Sequence, residues 1–141
     1  MSISRDEYHA ELASAMTERA LQDGVATIVR DINRTTPGAL IYYHTHRSQH
    51  SPAGFPDVVI LSPIHGSRLV AELKRERKSA KPTDPQVEWL DAFGTCGDDV
   101  YLWRPRHLLS GEIERLIRCV AGGLNLEMIV TESEWRRWDH E

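Results

Sequence analysis

The chain has 141 residues, 40% of them apolar and 27% charged, a size and balance expected of one globular domain spanning residues 1–141. Its net charge of -4 argues against a generic polyanion binder. No apolar run approaches the ~20 residues that span a bilayer, and the first residues lack a signal-peptide core, so no membrane partner is expected. Cys96 and Cys119 are too few and too far apart for a disulfide framework or a zinc site. Both are expected to be reduced, as in a cytoplasmic protein.

Residues 4–13 predict a short helix with Tyr8 and Leu12 on one side. Thr17 is a good N-cap for a second helix, where Leu21, Val25, Ile28, Val29 and Ile32 form an apolar stripe. Gly24 weakens that helix without breaking it, and Thr36-Pro37-Gly38 ends it. Leu40 to His44 reads as a strand, and Arg47 to Ala53 as a polar, turn-rich loop. Val58 to Leu61 is a β-branched run expected to be buried, Pro63 to Ser67 a turn, and a second apolar strand carries Glu72 and Lys74. Asp84 and Pro85 open a helix as its cap and first residue, with Val87, Leu90 and Phe93 on the apolar side and Trp89 alongside. Val100 to Trp103 is a further strand. Ser110 is expected to cap a last clear helix, striped by Ile113, Leu116, Ile117 and Val120 and ended by Gly122-Gly123. Leu124 to Val130 reads as a strand or extended arm, and Glu132 to Glu141, with Trp135 and Trp138, as helical. This order predicts an α/β fold with a central mixed sheet flanked by helices.

The chemistry concentrates between Gly54 and Lys74. Side chains two apart on a strand share a face, so Glu72 and Lys74 point one way and Leu73 the other. If the two strands pair as a hairpin, Asp57 returns close to Glu72. Two carboxylates beside an ammonium, held on buried sheet, form a hard-cation site with a charged helper. Asp57 and Glu72 are therefore candidate ligands for Mg2+ or Mn2+. A Glu set among Val70, Ala71 and Leu73 is expensive to bury unless paired or metal-bound. The plainer readings are a turn residue for Asp57 and a simple ion pair between Lys74 and Glu72. From Lys74 to Lys81 five basic residues stand against one acid, a solvated loop or a phosphate-facing strip. Arg47, Lys78 and Lys81 are candidate phosphate contacts of the sequence-neutral kind. His44-Thr45-His46 places two rings on one strand face and His50 follows, a pattern that alone suggests zinc, but no fourth ligand sits at a convincing spacing.

Pro56-Asp57 followed by Glu72-Leu73-Lys74 resembles the PD-(D/E)XK nuclease signature. In the wider setting of Gly54-Phe55-Pro56-Asp57, Gln86 with Trp89-Leu90, and Val100 to Pro105, residues 17–105 resemble the VRR-NUC branch of that superfamily, its phage-type stand-alone members above all. Residues 106–141 form a C-terminal helix and tail outside the resemblance. The resemblance implies a restriction-endonuclease-like core and a divalent-metal-dependent DNA endonuclease, selective for branched or flapped DNA and working as a homodimer. A phage-encoded member would act in the host-cell cytoplasm. It implies the backbone carbonyl of Leu73 as a third metal ligand and Lys74 as the group that positions the attacking water. It also implies catalytic roles for Gln86, on the helix after the core strands, and for Glu18, on the first family-like helix. His44 then belongs near the scissile phosphate, or is a satisfied strand-end histidine. The competing readings are a non-catalytic DNA-binding module with a degenerate site, and a small regulatory protein holding zinc at His44 and His46.

Overall fold

The computed structural model describes residues 2–45 and 52–136. In chain order it contains α1 (Arg5–Ala15), α2 (Glu18–Thr35), β1 (Ile41–His44), β2 (Val58–Ser62), β3 (Ser67–Leu73), α3 (Asp84–Thr95), β4 (Asp99–Trp103), α4 (Pro105–Leu109) and α5 (Glu112–Ala121). A 3-10 turn, Leu126–Met128, follows. The strands lie side by side in chain order. β1, β2 and β3 form an antiparallel meander, and β4 joins β3 in parallel after the α3 crossover. The result is the predicted class, a mixed sheet flanked by helices. Among the described residues no helix is long and apolar enough to cross a membrane.

The two faces of the sheet are covered differently, and the pleat decides how. Val58, Ile60, Leu69, Ala71, Leu73, Tyr101 and Trp103 point to one side, where the stripes of α2 and α5 meet them in one core. Burying each large aliphatic side chain of those stripes stabilises the fold by roughly 1.5–3 kcal/mol. Gly24 lets α2 approach α4: a Cβ at that position would lie 2.6 Å from Leu108 Cδ2. On the other side Leu90, Val100 and Trp135 form a smaller core, joined by Val87, Phe93 and Leu102. Glu72 lies on the pleat of Val70, facing α3, and is 1% exposed.

The structure corrects four local expectations. The cap of α3 is Thr83, not Asp84: its Oγ1 accepts from Gln86 N, and Gln86 Oε1 accepts from Thr83 N, a reciprocal capping box. Gly111 is the N-cap of α5, with Ser110 one residue earlier accepting from Glu112 N at 3.3 Å. Pro105–Leu109, unassigned by periodicity, is a short helix opened by its own proline. Residues 124–130 are not a strand, and the described residues after Glu132 are extended rather than helical. Ser133 O accepts from Leu102 N and Trp135 N donates to Val100 O, both at 2.8 Å, so this segment adds to the β4 edge through a Tyr101–Glu134 bridge. Glu112 explains why: its buried carboxylate accepts from Glu132 N and Ser133 N, both at 3.0 Å. These donors hold its pKa below the usual value against the opposing effect of burial. Trp138 lies outside the described residues.

Candidate active-site cleft

The hairpin register pairs Val58 with Ala71 and so sets Asp57 opposite Glu72 at the end of the sheet. Asp57 Oδ2 accepts from Leu73 N at 2.9 Å, which ties the carboxylate to the strand that carries Glu72. Gln86 is held at both ends of its amide. Its Oε1 accepts from Thr83 N at 2.8 Å and its Nε2 donates to Glu72 Oε1 at 3.0 Å. Lys74 Nζ stands 3.9 Å from the same oxygen, and Lys74 N donates to Trp103 O at 3.0 Å. The other carboxyl oxygen, Glu72 Oε2, is buried and has no partner. Burial above all, then the adjoining Asp57, push the Glu72 pKa up to about 9, while Lys74 pulls the other way. Without a metal ion, a pKa near 9 keeps Glu72 mainly protonated at neutral pH despite the Lys74 ammonium.

The loop before Asp57 is fixed by α3. Gly54 has φ +82°, and a Cβ there would lie 2.4 Å from the backbone carbon of Pro85 and 2.6 Å from Gln86 N. Only a glycine permits both the left-handed conformation and the close backbone approach. Trp89 Nε1 donates to Ala53 O at 3.1 Å. Phe55 packs edge-on against Trp89 and Phe93, with ring centroids 5.2 and 6.2 Å apart. Thr45 closes the other flank, its N donating to Asp57 O and its Oγ1 to Pro56 O, both at 3.0 Å. The helix that presents Gln86 thus also positions Asp57.

Beside Asp57, on the α2 side, a cleft of about 420 Å³ is lined by Glu18, Arg19, Gln22, Asp23, His44, Thr45, Asp57 and Leu73. Glu18 is exposed on its rim. Gln22 Nε2 and His44 Nδ1 are 2.5 Å apart. Tyr42 carries its hydroxyl into a buried position without a partner. Burial, with Asp23 and Asp57 nearby, pushes its pKa up to about 12.

Asp57, Glu72, Lys74 and Gln86 are thus brought together as expected, and Glu18 and His44 share a cleft with Asp57 and Leu73. Lys78 and Lys81 are exposed and border a separate depression beyond β3. Arg47, His46 and His50 lie outside the described residues. Gln22, Asp23, Tyr42 and Thr45 were missed by the sequence reading. For Gln22 a signal exists: it lies one helical turn from Glu18, beside the apolar stripe.

Among the described residues no group of three or more His, Cys, Asp and Glu side chains could hold a metal ion. The Asp57–Glu72 pair with the Leu73 carbonyl is a different donor set, two side chains and one backbone group. It is all oxygen, as Mg2+ and Mn2+ prefer, and the orphaned Glu72 Oε2 beside a second carboxylate is an atom such an ion would satisfy. The residues fit a small hard cation. Comparison with protein-family models, with curated proteins and with solved structures finds no match to this chain.

Proposed function

We propose that this chain is a divalent-metal-dependent DNA endonuclease on a restriction-endonuclease-like core. One observation carries the reading: Glu72 is held in the sheet with one carboxyl oxygen bonded to Gln86 and the other buried without a partner beside Asp57. A fold gains little stability from burying an acid this way, because even the neutral carboxyl loses its water and sits beside a second carboxylate. Asp57, Glu72 and the Leu73 carbonyl would hold Mg2+ or Mn2+. When bound, the ion supplies Lewis-acid polarisation of a phosphoryl oxygen and acidifies a water.

The chain's own groups do the rest. Lys74, with its ammonium 3.9 Å from Glu72, orients the attacking water and stabilises the charge that grows on the phosphate. Gln86 fixes the rotamer of Glu72, and its capping box fixes Gln86. Asp57 is kept in place by Leu73 N and by the Gly54 loop. Glu18 and His44 face the cleft where a phosphodiester would enter. Branched or flapped DNA is the first substrate to test. A homodimer is part of the same proposal, with exposed Tyr8, Leu12, Leu124 and Met128 as candidate contacts. Trp135 is not among them, since it is buried against Leu90 and Val100.

The test incubates purified protein with Mg2+ or Mn2+ and end-labelled single-stranded, duplex, flap and four-way DNA. Cleavage is expected with either ion, and it should be abolished in Asp57→Ala and in Glu72→Ala while both remain folded. Undiminished cleavage in either variant, or none by the parent protein on any substrate, would end the proposal.

A further inference from the structure

The segment that leaves β3 is bound tightly to the start of α4. Arg104 Nη1 donates to Arg75 O at 2.6 Å and to Arg77 O at 3.2 Å. Glu76 accepts from Arg106 N at 3.0 Å and pairs with its guanidinium at 2.5 Å. Lys74 N is already bonded to Trp103 O. Three consecutive residues after the candidate catalytic lysine are therefore stitched down, although the segment belongs to no helix or strand.

What this stitching presents is a depression of about 500 Å³ lined by Arg77, Lys78, Lys81, Arg104 and Arg106, with Glu76 as the sole acid. Glu76 is taken by Arg106. Arg77, Lys78 and Lys81 are exposed, and no carboxylate of the described residues lies within ion-pair distance of them. The other large hollows lean the opposite way: Asp91, Asp98, Asp99 and Glu134 outnumber Arg136 in one, Glu18, Asp23 and Asp57 outnumber Arg19 in another, and Asp6, Glu76, Glu112 and Glu132 outnumber Arg106 and Arg115 in a third. In a chain of net charge -4, this hollow is strongly basic, and hydrogen bonds to backbone carbonyls hold the loop that lines it. Gathering like charges on a braced surface costs electrostatic energy; the Arg104 pKa is lowered by burial first and by Arg106 second, with Glu76 opposing. A brace that fixes the start of the backbone from which Arg77, Lys78 and Lys81 project keeps their charges near one another, which has a use if an anion occupies the hollow.

We infer that this depression binds a phosphate of the nucleic-acid backbone beside the one that is cut, with Arg77, Lys78 and Lys81 as its contacts and Arg104 as the positioning residue that holds their loop. The inference deepens the nuclease reading and rests on it for the identity of the anion. It sets the strand's path: from the cleft at Asp57, past Lys74, and on over the 75–81 loop. Such contacts carry register and affinity but no sequence preference.

The test measures binding of a short fluorescein-labelled DNA duplex by anisotropy, with calcium in place of magnesium to suppress cutting, from roughly 50 to 200 mM salt. The triple variant Arg77→Ala, Lys78→Ala, Lys81→Ala should flatten the log–log salt dependence by up to about three units, near one per lost contact. The triple Arg30→Ala, Arg34→Ala, Arg118→Ala removes the same charge from the outer faces of α2 and α5 and should leave the slope unchanged. Arg104→Gln should keep the slope and lose about tenfold in affinity. An unaltered slope in the first triple, or equal flattening in the second, overturns the site while leaving the nuclease reading intact. Parent-like affinity in Arg104→Gln overturns the positioning role. If the parent protein binds no short duplex, the nuclease reading still stands or falls on the cleavage panel, and inorganic tripolyphosphate decides the depression alone. Saturable amide shifts at Arg77, Lys78 and Lys81 would keep an anion site there, and their absence would remove it.

Discussion

Replacing Glu72 by Gln should make the metal-free protein more stable, by an amount that depends on pH. In the unfolded chain Glu72 titrates near 4.5, and in the fold near 9. Its folded pKa is raised, so its contribution to stability is fully present below about 4.5 and is lost progressively as pH rises toward 9. Between those limits the folded state holds a proton that the unfolded state has released, and stability falls by about 1.4 kcal/mol per pH unit. By pH 7 the accumulated loss is about 3.5 kcal/mol, and it keeps growing toward pH 9. Gln has the same shape and does not titrate. Its carbonyl can still accept from Gln86 Nε2, and its amide can donate toward Asp57 where Glu72 Oε2 has no partner. Urea unfolding in EDTA should therefore find the two proteins equally stable near pH 5 and the variant ahead by up to about 3 kcal/mol near pH 7. Added Mg2+ should stabilise the parent near pH 8 and leave Glu72→Gln almost unaffected, because ligand binding to the folded state adds stability only where a site exists. A difference that is the same at pH 5 and pH 8 would refute the reasoning. It would mean that Glu72 is ionised in the metal-free fold and balanced by Lys74, so that nothing there awaits a cation.

Two further perturbations test the scaffold. Gly54→Ala forces a side chain into a left-handed residue against the Pro85–Gln86 backbone, and is expected to cost about 3 kcal/mol or more by chemical denaturation. In molecules that remain folded it should also move Asp57, so nuclease activity should fall further than stability alone predicts. Glu112→Ala should free the tail: amide exchange at Glu132 and Ser133 should accelerate, and Trp135 fluorescence should shift red, while the α2–α5 core keeps its protection. Because Glu112 has a lowered pKa, its stabilisation is present above about 4.5 and fades as pH falls through the folded value, so acid should mimic the substitution.

Period-two alternation and hairpin logic were enough to bring Asp57 to Glu72, because antiparallel pairing across a short turn leaves little choice of register. The apolar stripes of α2 and α5 gave the covered face for a similar reason: a spacing of three to four residues can bury only one side of a helix. The tail was illegible because Glu132 to Arg136 is charged and carries no periodicity of its own. Its extended form is imposed by a buried carboxylate twenty residues earlier and by the free edge of β4. Thr83 could have been found, since Thr-x-x-Gln is a capping box, but Asp84-Pro85 offers an equally good local start. The α2 wall of the cleft was hidden for a different reason. Gln22 meets His44 only once helix and strand are docked, a contact across twenty-two residues that no local pattern encodes. Gly54 joins these two kinds of information. Its place before Phe55-Pro56-Asp57 is visible in the chain, yet the backbone it lies against belongs to Pro85 and Gln86, the same turn that aims Gln86 at Glu72. One helix start therefore sets the positions of both carboxylates, so a disturbance at Gly54 should reach Glu72 through α3 as well as Asp57 through its loop.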